Sequence, residues 1–190
     1  MKKHKRYTVA KRRKREGKTN YKKRLRMLMS GKPRLVVRIS LKNVIGQIID
    51  YHAEGDKIIA SACSKELEKM GWNYSRSNMP SAYLTGYLLA KKALKKKIKQ
   101  AVLDIGMYEP VKGSKVFGFL KGAVDGGLDI PYSDEVLPSE DRIKGKHIAD
   151  YGNNEKIFEK QFSGYVKKKV QPKEIIKQFD DTKTKIEAIK

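Results

Sequence analysis

The chain has 190 residues, of which 39% are hydrophobic and 34% charged. It is long enough to bury one core, although it is more polar than an average domain. This composition excludes both a wholly disordered protein and a membrane-spanning one. Forty-four Lys and Arg against 21 Asp and Glu give a net charge of +23, and such a self-repelling excess indicates a polyanionic partner, either nucleic acid or an acidic membrane. The single Cys63 and the three histidines exclude an intrachain disulfide and a Cys/His zinc site, so a reducing compartment and no structural metal are expected.

The first 26 residues hold more than half of the charge excess, with fourteen basic side chains and one glutamate. Such a block cannot join a core, because each buried cation would need a carboxylate that the segment lacks. We therefore predict a basic arm that is disordered in the absence of a polyanion. Residues 11–15 are compatible with a short helix, and Thr19 or Asn20 can cap a second helix that runs to Met29.

After Pro33 the pattern changes to β-branched residues, which favour strands. Residues 34–40 and 44–51, joined by a tight turn, predict a hairpin, and residues 57–62 predict a third antiparallel strand. Together these segments predict a three-stranded meander.

Helical signals follow the meander. Ser64 can cap a short helix over residues 65–70, and a polar loop is expected from Trp72 to Pro80. From Tyr83 onward the apolar residues fall on one stripe, which predicts a long helix with one face packed on the sheet.

A short apolar run at residues 101–105 predicts a buried strand, and because a helix precedes it, a right-handed crossover to parallel pairing is expected. The predicted fold class is therefore α/β, with a mixed sheet made of the antiparallel meander and a parallel crossover strand. Residues 114–125 predict a further helix, and short elements follow Pro131. The predicted division of the chain is a basic arm, an α/β core and a helical C-terminal extension, at residues 1–31, 32–152 and 153–190.

Carboxylates near the ends of predicted elements could hold Mg²⁺ for phosphoryl chemistry. They are Asp50, Asp104, Asp125 and Asp129. Nothing in their spacing forces them together, and a role in ending strands and helices is favoured. Cys63 and His52 could form a nucleophile and base, but a small thiol at the end of a strand is usually a packing residue. We therefore predict no catalytic residue, cofactor, metal or small-molecule substrate.

The chemistry of the arm favours RNA. Arginines predominate in its centre, at residues 12–15, and Tyr7 and Tyr21 flank them. Guanidinium groups bind phosphate bidentately, and both guanidinium and tyrosine stack on unpaired bases. A membrane-binding helix would need large apolar residues that the arm lacks. The lysine-rich residues 91–99 have two open interpretations, a solvated surface or a second phosphate-binding face.

Several unbroken stretches of the chain resemble one family. They are YKKRLRMLMSGKPRLVVR at 21–38, NMPSAYLTGY at 78–87, AVLDIG at 101–106, GSKVF at 113–117, GGLDIP at 126–131 and GKHIADY at 145–151. They are similar to the eighteenth large-subunit ribosomal protein in its archaeal and eukaryotic form, a binder of 5S ribosomal RNA. The resemblance covers most of residues 5–151.

This resemblance implies a ribonuclease-H-like domain without nuclease activity, located on cytoplasmic ribosomes. Its implied partners are 5S rRNA, large-subunit rRNA and neighbouring large-subunit proteins. The RNA-binding residues expected from the arm and the matching motifs are Lys5, Arg6, Arg12, Arg13, Arg15, Lys18, Lys22, Arg24, Lys32, Arg34, Arg38, Asn78, Ser81 and Thr85. The chain departs from the family at Ile39 and Leu41, where a basic residue and an asparagine are usual, so the resemblance does not extend RNA contacts to that turn.

Two alternatives belong to other functional classes. A Mg²⁺-dependent ribonuclease on the same fold would cleave RNA through its carboxylates. A generic nucleic-acid packaging protein would bind transfer RNA or duplex DNA as tightly as 5S RNA.

Overall fold

A four-stranded mixed sheet forms the centre of the molecule. The computed structural model describes residues 8–153 and 161–188. The strands are β1 (Arg34–Ile39), β2 (Val44–Asp50), β3 (Lys57–Cys63) and β4 (Val102–Asp104). Their order is β3-β2-β1-β4; β1, β2 and β3 pair antiparallel, and β4 pairs parallel to β1. The predicted mixed α/β sheet is confirmed, and its topology is consistent with a ribonuclease-H-like fold.

Eight α-helices are found in the described ranges. They are α1 (Arg12–Arg15), α2 (Tyr21–Leu28), α3 (Met79–Lys95), α4 (Lys115–Asp125), α5 (Glu140–Lys144), α6 (Lys146–Tyr151), α7 (Ser163–Lys167) and α8 (Ile175–Glu187). Short 3-10 helices lie at Ser64–Met70, Asp134–Val136 and Pro172–Glu174. None of the described helices is long and apolar enough to cross a membrane.

The segment after β3 differs from the prediction, because it is a 3-10 helix and Ser64 does not cap it. The buried Oγ of Ser64 accepts a hydrogen bond from the Val44 amide at 3.0 Å. The hydroxyl is therefore used to join the start of β2 to this segment. The Cys63 amide instead donates to Glu66 Oε1 at 3.0 Å, which fixes the first turn.

Helix α3 is buried nearly all round, whereas the sequence predicts only one buried face. Thirteen of its 17 residues are buried, because β2, β3, α4 and α8 all pack against this helix. Two glycines bring α3 and α4 into backbone contact. A Cβ at Gly122 would lie 2.0 Å from the Tyr83 carbonyl oxygen, and a Cβ at Gly86 would lie 2.1 Å from the Phe119 carbonyl oxygen.

Replacing Gly122 with alanine is expected to lower the free energy of unfolding by about 1–3 kcal/mol, because the added methyl group forces the two helices apart. Urea titration followed by circular dichroism would measure the change. Gly164→Ala is the matched control, since Gly164 lies in α7 with no heavy atom within 4 Å of its added Cβ. An unchanged midpoint for Gly122→Ala would contradict the close helix contact.

The C-terminal segment contributes to the same core. The predicted helical character is confirmed in its described part, and Ile175, Phe179 and Ile186 of α8 are buried. The Tyr87 hydroxyl of α3 donates to Glu187 Oε1 at 2.9 Å. Burial, together with this carboxylate, raises the pKa of Tyr87 to about 12, so the phenol remains a hydrogen-bond donor at neutral pH.

The loop before α3 is less polar than predicted, because Trp72 and Tyr74 are fully buried. The Tyr74 hydroxyl donates to the Gln171 carbonyl at 2.5 Å, and the Trp72 indole donates to the Ser75 carbonyl at 3.1 Å. Tyr74 therefore joins the loop to the C-terminal segment, and Trp72 holds the loop in its own turn.

The two faces of the sheet have different surroundings. Leu35 and Val37 of β1 point into the core with α3 and α4. Arg34, Val36 and Arg38 alternate with them and lie on the outer face. The described part of the basic arm lies beside this outer face as α1 and α2, which differs from the disorder that the sequence predicts for the arm.

Candidate nucleic-acid interface

A groove of about 1040 Å³ separates the arm from the outer face of the sheet. Arm residues between positions 13 and 27 line one side, and the loop at residues 104–108 lines another. Val36, Gln47 and Ile49 form part of its floor. The groove therefore combines cationic walls with a partly apolar floor.

Six cations line the groove, and they are distributed between the arm and the sheet. They are Arg13, Lys18, Lys23, Arg24, Arg34 and Arg38. All except Lys23 belong to the RNA-binding residues predicted from the sequence. Lys23 was missed because no motif distinguishes it from its basic neighbours, and only the turn of α2 brings it to the groove.

The turn between α1 and α2 is held by contacts within the arm. Arg13 Nε donates to Thr19 Oγ1 at 2.9 Å, and the ammonium of Lys11 lies 4.8 Å from the centre of the Tyr21 ring. Asn20 Oδ1 accepts from the Lys23 amide at 3.1 Å and caps α2, one of the two caps predicted. Arg24 is paired with Asp56 and partly buried, and the other cationic side chains in the described part of the arm are exposed.

Arg34 occupies a different place from the one predicted. It is only 5% exposed. Its Nη1 donates to Asp104 Oδ2 and its Nη2 to Asp56 Oδ2, both at 2.6 Å. Because these carboxylates engage the guanidinium group inside the protein, the structure gives Arg34 a structural role, and the RNA contact expected of it stays a prediction.

Ser81 and Thr85 are also buried, so their hydroxyl groups are enclosed in the protein, and the RNA contacts expected of them stay a prediction. The Ser81 hydroxyl donates to the Asn78 carbonyl at 3.0 Å, and the Thr85 hydroxyl donates to the Ser81 carbonyl at 2.6 Å. Asn78 Oδ1 accepts from the Ser81 amide at 3.0 Å and caps α3. These polar groups therefore satisfy the backbone at the start of α3.

The other predicted RNA-binding residues have separate positions. Arg12, Arg15 and Lys22 are exposed on the arm, and Lys32 is half-buried just before β1. Lys5 and Arg6 lie outside the described residues.

The turn between β1 and β2 presents an apolar tip. Leu41 is 99% exposed. The amide and carbonyl groups of Ile39 are both hydrogen-bonded to the Tyr108 hydroxyl, at 3.2 and 2.8 Å. This turn adds no cation to the groove.

The four candidate carboxylates have separate partners. Asp104 binds Arg34, Asp125 accepts from the Tyr83 hydroxyl at 2.8 Å, and Asp129 accepts from Gln100 at 3.0 Å. Asp50 lies 3.6 Å from His52. In the part of the chain that the structure describes, no three His, Cys, Asp or Glu residues are grouped so that they could hold a metal ion.

Two of the lysines at residues 91–99 are engaged with the edge of the sheet. Lys92 Nζ donates to the Ser61 carbonyl at 3.1 Å and also to Glu66, and Lys96 Nζ donates to the Ile59 carbonyl. These lysines satisfy carbonyl groups on the outer edge of β3. For these two side chains, the structure favours a structural role over phosphate binding.

Comparison with known proteins identifies similar sequences over almost the whole chain. The family described as ribosomal large subunit proteins 60S L5 and 50S L18 matches residues 5–100 and 95–133. The large ribosomal subunit proteins uL18 of Thermofilum pendens and Korarchaeum cryptofilum are each 49% identical over 187 residues, covering 96% and 97% of this chain and 95% and 96% of those proteins. The uL18 protein of Methanothermobacter thermautotrophicus is 50% identical over 184 residues, covering 96% of each chain.

Proposed function

Since the chain belongs to the family of ribosomal large subunit proteins 60S L5 and 50S L18, we propose that it binds 5S ribosomal RNA and helps to attach that RNA to the large-subunit rRNA. The coarser conclusion, a structural protein of the large ribosomal subunit that is not an enzyme, follows from the family itself. The observation that carries the proposal is the groove, whose cations come from both the arm and Arg38 of the sheet.

The proposed mechanism separates affinity from selectivity. Exposed arginines and lysines of the arm neutralise phosphates and release condensed counterions, which supplies most of the affinity. The groove contributes selectivity, because the Arg38 guanidinium and the apolar floor can receive an unpaired base that a regular duplex does not present. No bond is made or broken in this process.

The three predicted parts of the chain have different roles in this proposal. Residues 1–31 supply phosphate contacts, residues 32–152 form a rigid platform, and residues 153–190 complete that platform through α8. Large-subunit rRNA and neighbouring ribosomal proteins would contact the surfaces outside the groove.

Competition binding tests the proposal. We expect labelled 5S RNA to be retained by the full-length protein against a large excess of transfer RNA or duplex DNA, and to remain intact with Mg²⁺. If transfer RNA and duplex DNA displaced the labelled 5S RNA as well as unlabelled 5S RNA does, the result would favour a packaging protein. Cleavage that depends on Mg²⁺ and is lost in Asp104→Asn would favour a nuclease. Footprinting with and without residues 1–26 would then locate the contacts of the arm.

Arg38 provides a test of the groove at one residue. Replacing Arg38 with glutamine is expected to weaken 5S RNA binding by about 1–3 kcal/mol and to reduce the salt slope by about one unit, if its guanidinium contacts both phosphate and base. Fluorescence anisotropy over a series of salt concentrations would measure both quantities. Unchanged binding would remove Arg38 from the interface.

Arg34 is the matched control because it lies on the same face of the same strand. Arg34→Gln is expected to lower the free energy of unfolding by about 2 kcal/mol, since it leaves Asp104 without its cation while Asp56 keeps Arg24. Arg38→Gln is expected to leave the urea midpoint unchanged. Comparing the two variants separates loss of an RNA contact from loss of stability.

A further inference from the structure

Three charged residues form a partly buried cluster beneath the arm. The guanidinium group of Arg34 lies between the carboxylates of Asp56, just before β3, and Asp104, at the end of β4, and donates to each at 2.6 Å. Asp104 Oδ1 also accepts from the Gly106 amide at 2.9 Å, which fixes its orientation. Two carboxylates and one guanidinium leave this cluster with one negative charge in excess.

Arg24 of α2 neutralises that excess. Its Nη2 donates to both oxygens of Asp56, at 2.9 and 3.0 Å. Arg24 and Asp56 are each about three-quarters buried as side chains, so water screens their attraction less than at an exposed ion pair. The four residues together carry no net charge.

Apolar packing does little to hold α2 against the sheet. No residue of α2 is fully buried: Leu25 is 62% exposed and Met29 at its C-terminal end is 79% exposed, while the apolar side chains of Tyr21, Met27 and Leu28 are half-buried. Among the described residues, the pair between Arg24 and Asp56 supplies the only hydrogen bonds from positions 8–29 to the α/β body. The attachment of the arm therefore depends on this charge pair.

We propose that Asp56, held by Arg34 and Asp104, is a positioning residue that docks the arm helix α2 through Arg24 before RNA is bound. The effect of docking on RNA affinity rests on the proposed RNA-binding function. A docked helix has already lost the conformational freedom that a mobile arm would lose on binding RNA. Asp56 itself touches no RNA in this scheme. It holds α2 so that Lys23 of the helix lines the groove.

Asp56→Asn tests the docking without RNA. We expect the backbone order parameters of residues 21–28, from ¹⁵N relaxation, to fall from about 0.85 to below about 0.6, while those of the sheet remain unchanged. Asp50→Asn is the matched control, because it removes a negative charge from the end of β2, next to the connection that holds Asp56, without a contact to the arm. Order parameters in α2 that are unchanged in Asp56→Asn would overturn the proposal.

Arg24→Gln is the second variant, and it leaves the cluster of Asp56, Arg34 and Asp104 intact. We expect it to mobilise residues 21–28 as Asp56→Asn does, and the double variant to mobilise them no further. If Asp56→Asn perturbs the body, this variant still decides the question. A helix that remains ordered without the Arg24 guanidinium contradicts docking by the ion pair.

RNA binding tests the consequence separately. Asp56→Asn is expected to weaken 5S RNA binding by about threefold to tenfold relative to Asp50→Asn, with no decrease in the salt slope, because the phosphate-binding cations are all retained. Mobilised α2 with unchanged affinity would overturn the role of docking in binding. Failure of the wild-type protein to prefer 5S RNA would contradict the proposed function and leave the relaxation result standing.

Discussion

Deleting residues 1–26 is expected to flatten the salt dependence of 5S RNA binding by about five to six units, because each phosphate contact contributes a slope of about 0.7–0.9. This value assumes that half of the fourteen basic side chains of the segment touch phosphate. Affinity at moderate salt should fall by several orders of magnitude. The body should remain folded, since none of the described residues in this segment is buried. Anisotropy titrations at several salt concentrations would measure both effects.

Two sets of charge-neutralising substitutions give a matched control for the deletion. Changing Arg12, Arg13, Lys14 and Arg15 to glutamine removes four charges from α1 and should reduce the slope by about two to three units. Changing Lys91, Lys95, Lys97 and Lys99 to glutamine removes four charges from the other lysine-rich surface and should change the slope little. A larger decrease in the salt slope for the substitutions at residues 91–99 than for those in α1 would move the binding site to residues 91–99. A deletion of residues 1–26 that leaves affinity and slope unchanged would do the same.

The Phe179→Ala variant is expected to lower the free energy of unfolding by about 3–5 kcal/mol, the usual cost of removing a large aromatic side chain from a core. Phe179 is 2% exposed, and its ring centre lies 5.4 Å from that of Tyr83 in α3. This loss is a large fraction of the stability of an ordinary domain. Urea unfolding followed by near-ultraviolet and far-ultraviolet circular dichroism would measure it and show whether the transition remains two-state.

The exposed neighbour Lys177 supplies the control for Phe179. Lys177→Ala changes the same helix without removing a buried group, so its effect should stay within about 0.5 kcal/mol. Equal effects of the two variants would contradict the packing of α8 in the core. A large effect of Phe179→Ala alone would show that the C-terminal segment is required for a stable platform.

Local patterns determined most of the secondary structure and the class of partner. Alternating β-branched residues predict β1 to β3, and the apolar stripe from Tyr83 onward predicts α3, which begins earlier, at Met79. Hydrogen bonds inside a helix and alternation along a strand span a few residues, so the sequence displays them directly. The charge block at residues 1–26 likewise predicts an RNA-binding arm without knowledge of the fold.

Burial and the direction of polar side chains were decided by the tertiary structure. The sequence shows that Ser81 and Thr85 are polar, but only the packing of α3 against α4 and α8 encloses both hydroxyl groups. In the same way, the sequence of α8 resembles that of a solvated extension, and its apolar side chains are buried only because they pack against α3. Neither outcome can be obtained from local periodicity, because the partner surfaces are remote in the chain.

The pair Arg34 and Arg38 shows this division most clearly. Both arginines lie on one strand, within one motif and on the same face, and the sequence by itself assigned both to RNA. Arg34 meets Asp56, 22 residues away, and Asp104, 70 residues away, whereas Arg38 stays exposed in the groove. Whether a cation is neutralised inside the protein or left for a phosphate depends on which distant carboxylate the fold brings within hydrogen-bonding distance, and only the tertiary structure decides that.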